Sequence, residues 1–65
     1  MNRITDAQRK PIQAEADKLI KLDHTLVALN YREVVEHLQK KFGISQQRAL
    51  THAAKAARKA RRPHL

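Results

Sequence analysis

The residues with the most evident chemistry are the long cations in the C-terminal part of the chain. Residues 1–39 hold six bases and six acids, whereas residues 40–65 hold eight bases and no acid. The eight bases are Lys40, Lys41, Arg48, Lys55, Arg58, Lys59, Arg61 and Arg62. The whole formal charge of +8 therefore lies after residue 39. Because lysine and arginine side chains hold phosphate groups, this distribution indicates a polyanion-binding surface on a neutral scaffold.

Polar residues among these cations have the side chains that bond to the edges of nucleic-acid bases. Glutamine can pair bidentately with adenine and arginine with guanine, while threonine can offer its hydroxyl to a base and its methyl to thymine. The residues of these types are Gln46, Gln47, Arg48 and Thr51, and His52 follows them directly. The long cations further along the chain are better suited to phosphates than to bases.

Other chemistries find no matching residues in the sequence. The chain has no cysteine, and its histidines (His24, His37, His52 and His64) lie 12 to 15 positions apart, unlike the short spacings of structural zinc ligands. The sequence contains no nucleophile–base pair and no glycine-rich phosphate loop. We therefore predict no enzymatic activity, no small-molecule substrate, and no metal or other cofactor.

Length and hydropathy indicate one small domain. The chain has 65 residues, which is near the lower limit for folding without disulfides or metals. Its longest apolar run, Leu26-Val27-Ala28-Leu29, is too short to span a bilayer, and no secretion signal opens the chain. We expect a cytoplasmic protein that does not associate with a membrane.

Composition and periodicity predict an all-α domain of three helices. The first is expected at about 9–22, with Pro11 in its first turn and one apolar face formed by Ile12, Ala16, Leu19 and Ile20. A start at Thr5 or Asp6 would place Pro11 where it removes an internal hydrogen bond. Leu26 to Leu29 are expected to form a short, largely buried connection.

The second and third helices have clear boundary signals. Asn30 is the predicted N-cap of a helix at 31–42, with Glu33 completing an approximate capping box. Leu29 and Val34 are expected to form a hydrophobic staple across this cap. Gly43 occupies the position of a left-handed C-cap. Ser45 is expected to cap the third helix, at about 46–62, which Pro63 discourages from continuing.

The stretch Val35–Ala54 (VEHLQKKFGISQQRALTHAA) resembles the helix-turn-helix family of DNA-binding domains. Gly43 matches the turn glycine of the family pattern, and Leu38, Phe42, Ile44 and Ala49 match its buried positions. Gln39 and His52 depart from the pattern, because the family prefers a small residue at the first position and an aliphatic one at the second. The resemblance covers 20 of the 65 residues.

The resemblance implies that residues 1–62 form a DNA-binding domain, with 63–65 a tail or the start of a linker. The helix beginning at Gln46 would be the recognition helix in the major groove of double-stranded DNA. Base contacts are expected from Gln46, Gln47, Arg48, Thr51 and His52. Phosphate contacts are expected from Tyr31, Arg32, Lys40, Lys41, Ser45, Lys55, Arg58, Lys59, Arg61 and Arg62. The expected setting is a small transcriptional regulator or a plasmid or phage accessory protein, binding as a homodimer or in tandem on repeated sites.

Alternatives remain open at this stage. The basic C-terminal helix would also suit an RNA-binding protein, or a protein-interaction module that docks an acidic partner. Ser45 has a structural role as a cap beside its phosphate role, and Tyr31 can simply pack beside the second helix. Arg3 is either an arm for the minor groove or part of an idle terminus. A membrane-surface role is disfavoured because alanines dominate the apolar side of the third helix.

Overall fold

Three helices make up the fold. The computed structural model of the protein describes the backbone of residues 6–61 and the side chains of residues 8–61. Helices α1 (Asp6–Leu19), α2 (Tyr31–Phe42) and α3 (Gln46–Arg61) each pack against the other two. No strand occurs between residues 6 and 61, apart from one isolated bridge between Leu22 and Ala28. The predicted all-α, three-helix architecture is confirmed.

Helix α1 begins and ends three residues earlier than predicted. Pro11 therefore lies inside the helix and cannot donate a hydrogen bond to the carbonyl of residue 7. Because a proline removes only its own N–H donor, the loss is confined to one hydrogen bond in the second turn of the helix. Ile12 and Ala16, which follow Pro11 in the helix, are buried in the core. The backbone N–H of Ile20 still bonds to the Ala16 carbonyl at 3.0 Å, and the chain then leaves the helix.

The side chain of Asn30 ends α1 instead of capping α2. Its amide N–H donates to the Leu19 carbonyl, and its amide oxygen accepts from the Lys21 N–H at 2.8 Å. Asn30 occupies the predicted N-cap position of α2, but its side chain forms no capping hydrogen bond to that helix. Only its backbone serves α2, because its carbonyl accepts from the Val34 N–H at 3.0 Å.

The connection between α1 and α2 is tightly hydrogen-bonded but exposed. The carboxylate of Asp23 accepts from the hydroxyl and N–H of Thr25 (2.7 and 2.9 Å) and from the N–H of Val27 (2.9 Å). These bonds, led by that from the Thr25 hydroxyl, lower the pKa of Asp23. Leu26, in a left-handed conformation (φ 65°), is 49% exposed, Val27 is 52% exposed and Leu29 is 68% exposed. The expectation of a largely buried connection was therefore wrong.

The outward direction of these side chains has a local cause. Within the loop, the N–H of Asp23 donates to the Val27 carbonyl and the N–H of Leu29 donates to the Lys21 carbonyl. These backbone groups are therefore hydrogen-bonded even though the loop lies at the surface. Only Leu22 and Ala28 of this segment pack against the core. With 68% of its surface exposed, Leu29 is not buried by the staple expected with Val34.

The turn between α2 and α3 has the predicted chemistry. Gly43 is left-handed (φ 64°, ψ 31°), and its N–H donates to the Gln39 carbonyl at 2.9 Å. The hydroxyl of Ser45 accepts from the Arg48 N–H at 3.2 Å. The carbonyl of Ser45 accepts from the Ala49 N–H at 3.0 Å. The predicted C-cap and N-cap are both confirmed, and they fix the direction in which α3 leaves the turn.

The core is small and aliphatic. Its buried side chains are Ile12, Ala16, Ile20, Val34, Val35, Leu38, Ala49, Ala53, Ala56 and Ala57. Leu38 is the largest side chain that is fully buried. Helix α3 contributes only alanines, so its backbone lies close to α1 and α2. In the part of the chain that the structure describes, no helix has the length and apolar character needed to cross a bilayer.

Candidate nucleic-acid interface

Helix α3 presents a polar face opposite its buried alanines. At about 100° per residue, this outer face consists of Gln47, Arg48, Thr51, Lys55 and Arg58, all of which are exposed. Among residues 8–61, no hydrogen bond or ion pair engages the side chains of Arg48, Lys55 and Arg58. The Thr51 hydroxyl donates to the Gln47 carbonyl at 2.9 Å, which leaves its oxygen as an acceptor. The outer face therefore displays three cations and two polar side chains to solvent.

The cations on the flanks of α3 are used within the fold. Lys59 forms an ion pair with Asp17 of α1, with Nζ at 3.2 Å from Oδ2. Arg61 donates from Nε to the Leu26 carbonyl at 2.7 Å. Both residues were predicted phosphate contacts, and in the structure they tie α3 to α1 and to the α1–α2 loop.

Three ionisable residues join α1 to α2. Glu15 Oε2 lies 2.9 Å from His37 Nε2 and 3.0 Å from Lys41 Nζ. The hydrogen bond with His37, followed by that with Lys41, lowers the pKa of Glu15. Lys41 Nζ also lies 5.6 Å from the centroid of the Phe42 ring. The predicted phosphate contact Lys41 is thus paired, whereas its exposed neighbour Lys40 has no side-chain partner in the described region.

Three further predicted contacts, Tyr31, Arg32 and Gln46, lie along a groove between α2 and α3. Tyr31 is half-buried and packs against the core. Its hydroxyl donates to the Leu50 carbonyl at 3.1 Å. Arg32 and Gln46 are exposed and line the same groove between α2 and α3. Ser45 is exposed, but its oxygen already accepts the capping bond from Arg48.

A third surface combines α3 with residues of α1 that the sequence did not indicate. This groove between α1 and α3, of about 720 Å³, is lined by Arg9, Lys10, Gln13, Arg48, Thr51, His52 and Lys55. The groove continues the cationic outer face toward α1, because Arg48, Thr51 and Lys55 belong to both surfaces. Sequence analysis missed the contribution of α1, although Arg9 and Lys10 are adjacent bases in a segment with little net charge.

His52 lies inside this groove. Its Nδ1 is 2.8 Å from Gln13 Oε1, and its carbonyl accepts from Gln13 Nε2 at 3.1 Å. Partial burial is the main cause that lowers the pKa of His52, and the positive charges of Lys55, Arg9 and Arg48 add to it. His52 therefore faces α1, on the flank of the outer face, whereas Ala53 takes the buried position beside it.

The predicted contacts thus divide into two groups. The exposed predicted contacts are Gln46, Gln47, Arg48, Thr51, Lys55 and Arg58 of α3, Arg32 and Lys40 of α2, and the capping residue Ser45. Tyr31, Lys41, His52, Lys59 and Arg61 are engaged with other parts of the fold. Arg62 and Arg3 lie outside the described residues.

The chain matches no protein-family model, no curated protein and no solved structure.

Proposed function

We propose that the protein binds double-stranded DNA by inserting α3 into the major groove. The observation that supports this proposal is the outer face of α3, where cations that have no partner among residues 8–61 lie beside side chains able to read bases. Exposed charges of this kind contribute little to the stability of the free protein, since each one is already solvated. They gain their interactions only when phosphates and base edges approach.

The dimensions of α3 suit the major groove. Its 16 residues correspond to about 24 Å of helix, and a helix with side chains is about 10–12 Å across, against a major groove about 12 Å wide. The alanine side packs closely on α1 and α2, and the opposite side faces solvent. On this proposal Gln47, Arg48 and Thr51, near the helix start, read bases, whereas Lys55 and Arg58 hold phosphates further along.

The intramolecular bonds restrict the set of phosphate contacts. Lys41, Lys59 and Arg61 hold helices and the loop in place, so we assign phosphate contacts chiefly to Arg32, Lys40, Lys55 and Arg58. One recognition helix covers only a few base pairs, and useful specificity therefore requires a homodimer or tandem binding on repeated sites. A small transcriptional regulator, or a plasmid or phage accessory protein of the cytoplasm, is the biological role that this proposal favours.

The test is a binding selection on a randomised duplex library, followed by fluorescence anisotropy of the enriched duplex, a scrambled duplex and a hairpin RNA. We expect an enriched motif and a preference for that duplex. Arg48→Ala should reduce the preference for the motif, because a bidentate contact to guanine is worth about 1–3 kcal/mol of discrimination. Lys18→Ala, an exposed change of equal charge outside both grooves, is the matched control. Equal binding to all three nucleic acids would contradict sequence-specific DNA binding.

A further inference from the structure

The α1–α3 groove concentrates positive charge around a histidine. Arg9 and Lys10 contribute to it from α1, and Arg48 and Lys55 contribute from α3. The carboxylate whose charge opposes these cations at His52 is Asp17 of α1. That carboxylate already accepts a hydrogen bond from Gln13 at 2.9 Å and pairs with Lys59 at 3.2 Å. The groove therefore has the electrostatic character of an anion site.

The hydrogen bonds of Gln13 assign the tautomer of His52. Gln13 Nε2 faces two acceptors, the Asp17 carboxylate and the His52 carbonyl, so it is the amide nitrogen that donates to both. Gln13 Oε1 is then an acceptor, and the ring atom 2.8 Å away, His52 Nδ1, carries a hydrogen. In the neutral ring the other nitrogen, Nε2, consequently has a lone pair and no hydrogen.

That lone pair belongs to a residue that lines the groove, and it is accessible to solvent. Within residues 8–61, Nε2 of His52 has no hydrogen-bond partner, and no buried side-chain nitrogen or oxygen lacks one. Nε2 is therefore in contact with solvent rather than sealed in the packing between α1 and α3. The groove thus presents an acceptor where its surrounding charges would attract an anion.

We propose that this groove binds a phosphate group and that binding places a proton from solvent on Nε2 of His52. The protonated Nε2 donates a hydrogen bond to a phosphate oxygen, while Lys10, Arg48 and Lys55 supply charge around it. The phosphate is either one of the DNA backbone, in which case the inference rests on the proposed function, or a free phosphate. If the phosphate belongs to DNA, α1 would hold a backbone phosphate beside the N-terminal part of α3, which reads the bases.

The sign of the resulting pH dependence follows from the two states of the histidine. Without an anion, partial burial and then the neighbouring cations disfavour the imidazolium and lower the pKa of His52. A bound phosphate offsets those cations and accepts the new hydrogen bond, so the pKa is higher in the complex. Binding is therefore tightest below the pKa of the free protein and loses this contribution as the pH rises through the pKa of the complex.

The first measurement is an NMR pH titration of the imidazole resonances of the whole chain, alone, with inorganic phosphate, and with a bound duplex. Sodium chloride at the same ionic strength is the control, because salt screening alone also weakens the effect of the cations. His24, which is exposed, and His37, which bonds to Glu15, serve as references in the same spectra. We expect a rise in the pKa of His52 beyond that in sodium chloride, with smaller changes at the references.

The titrations with the duplex and with inorganic phosphate distinguish the two sources of the phosphate. A rise with the duplex alone identifies the DNA backbone as the ligand, and a rise with inorganic phosphate identifies a site that also takes free phosphate. No rise with either, while the duplex is bound, overturns the inference but leaves the DNA-binding proposal standing. Failure of the duplex to bind removes the DNA-binding proposal, and the inorganic phosphate arm then decides the inference.

A variant pair tests the same coupling in affinity. We expect duplex binding by the wild-type protein to strengthen on acidification by about tenfold for each unit by which the pKa of His52 rises. His52→Gln should lose most of this gain, whereas His24→Gln should retain it. Circular dichroism establishes that both variants are folded. Equal pH dependence in the two variants would overturn the role of His52.

Discussion

Replacing Arg58 or Lys59 by glutamine separates the effect of total charge from that of position on α3. The two residues are adjacent, and either substitution lowers the formal charge from +8 to +7. Arg58 lies on the outer face without a side-chain partner among the described residues, whereas Lys59 lies 3.2 Å from a carboxylate oxygen of Asp17. Only Arg58 is therefore positioned to replace a counterion on DNA.

The magnitude follows from counterion release. Each phosphate neutralised by a protein cation contributes about −0.9 to the slope of log affinity against log salt concentration. Arg58→Gln should therefore make this slope less negative by about 0.9, whereas Lys59→Gln should leave the slope close to that of the wild type. Over a fourfold rise in salt, a change of about 0.9 in the slope corresponds to about a 3.5-fold difference in the loss of affinity.

The assay is fluorescence anisotropy with one labelled duplex at sodium chloride concentrations between about 50 and 200 mM. Thermal unfolding of both variants is needed beside it, since loss of the Lys59–Asp17 pair changes a contact between α1 and α3. An exposed pair of this kind is worth only about 0–1 kcal/mol, so both variants should remain folded. Equal changes in slope would refute the reasoning, because position on α3 would then be irrelevant.

Three further predictions concern the fold. Gly43→Ala should cost about 1–2 kcal/mol in urea unfolding, because the left-handed conformation penalises a Cβ even though no atom lies within 4 Å of it; an unchanged midpoint would exclude that penalty. Asn30→Ala removes the bonds to the Leu19 carbonyl and the Lys21 N–H and should cost about 1–3 kcal/mol, at about 0.5–1.5 each, whereas Asn30→Asp should recover part of this loss through the Lys21 N–H. Glu15→Gln should destabilise the protein near neutral pH, and the difference from the wild type should shrink as the pH falls through the lowered pKa of Glu15 in the folded state. Urea unfolding at several pH values between about 7 and 3 measures this difference, and a gap that stays constant would contradict it.

Local signals in the sequence predicted the α2–α3 unit well. Gly43 and Ser45 act through bonds to residues three or four positions away, namely the Gln39 carbonyl and the Arg48 N–H. Such bonds depend only on nearby chain geometry, so residue type at a helix end is sufficient to predict them. The outer face of α3 could also be predicted, because helical periodicity alone separates it from the alanines.

Asn30 illustrates why the α1–α2 connection could not be predicted in the same way. An asparagine before a helix has two uses for its amide, a cap on the following helix or a bond to the preceding segment. The choice depends on Leu19 and Lys21, which lie 11 and 9 positions earlier and reach Asn30 only when the loop closes. The exposure of Leu26 depends on the same closure. The apolar run predicts burial, but the hydrogen bonds centred on Asp23 turn the side chain outward.

The groove residues of α1 show a second limit. Gln13 and His52 are separated by 39 positions, and neither residue has a local feature that points to the other. Their contact depends on the packing of α1 against the alanine side of α3, which brings side chains from the flanks of the two helices together. A base such as Lys10, in a segment of nearly neutral composition, becomes part of a cationic site only after that packing has occurred.

The placement of the acids gives the charge asymmetry of the chain a structural meaning. Glu15 and Asp17 lie on α1 and hold Lys41 and Lys59, which belong to α2 and α3. Because pairs of this kind contribute little stability, their main effect is on which cations remain available to a ligand. The acids of α1 engage cations at the edges of the basic half of the chain, and the outer face of α3 receives none of them. Exchanging an acid such as Asp17 for a neutral residue would therefore release Lys59 and widen the cationic surface. A polyanion would then bind over a larger area and would be less confined to the outer face of α3.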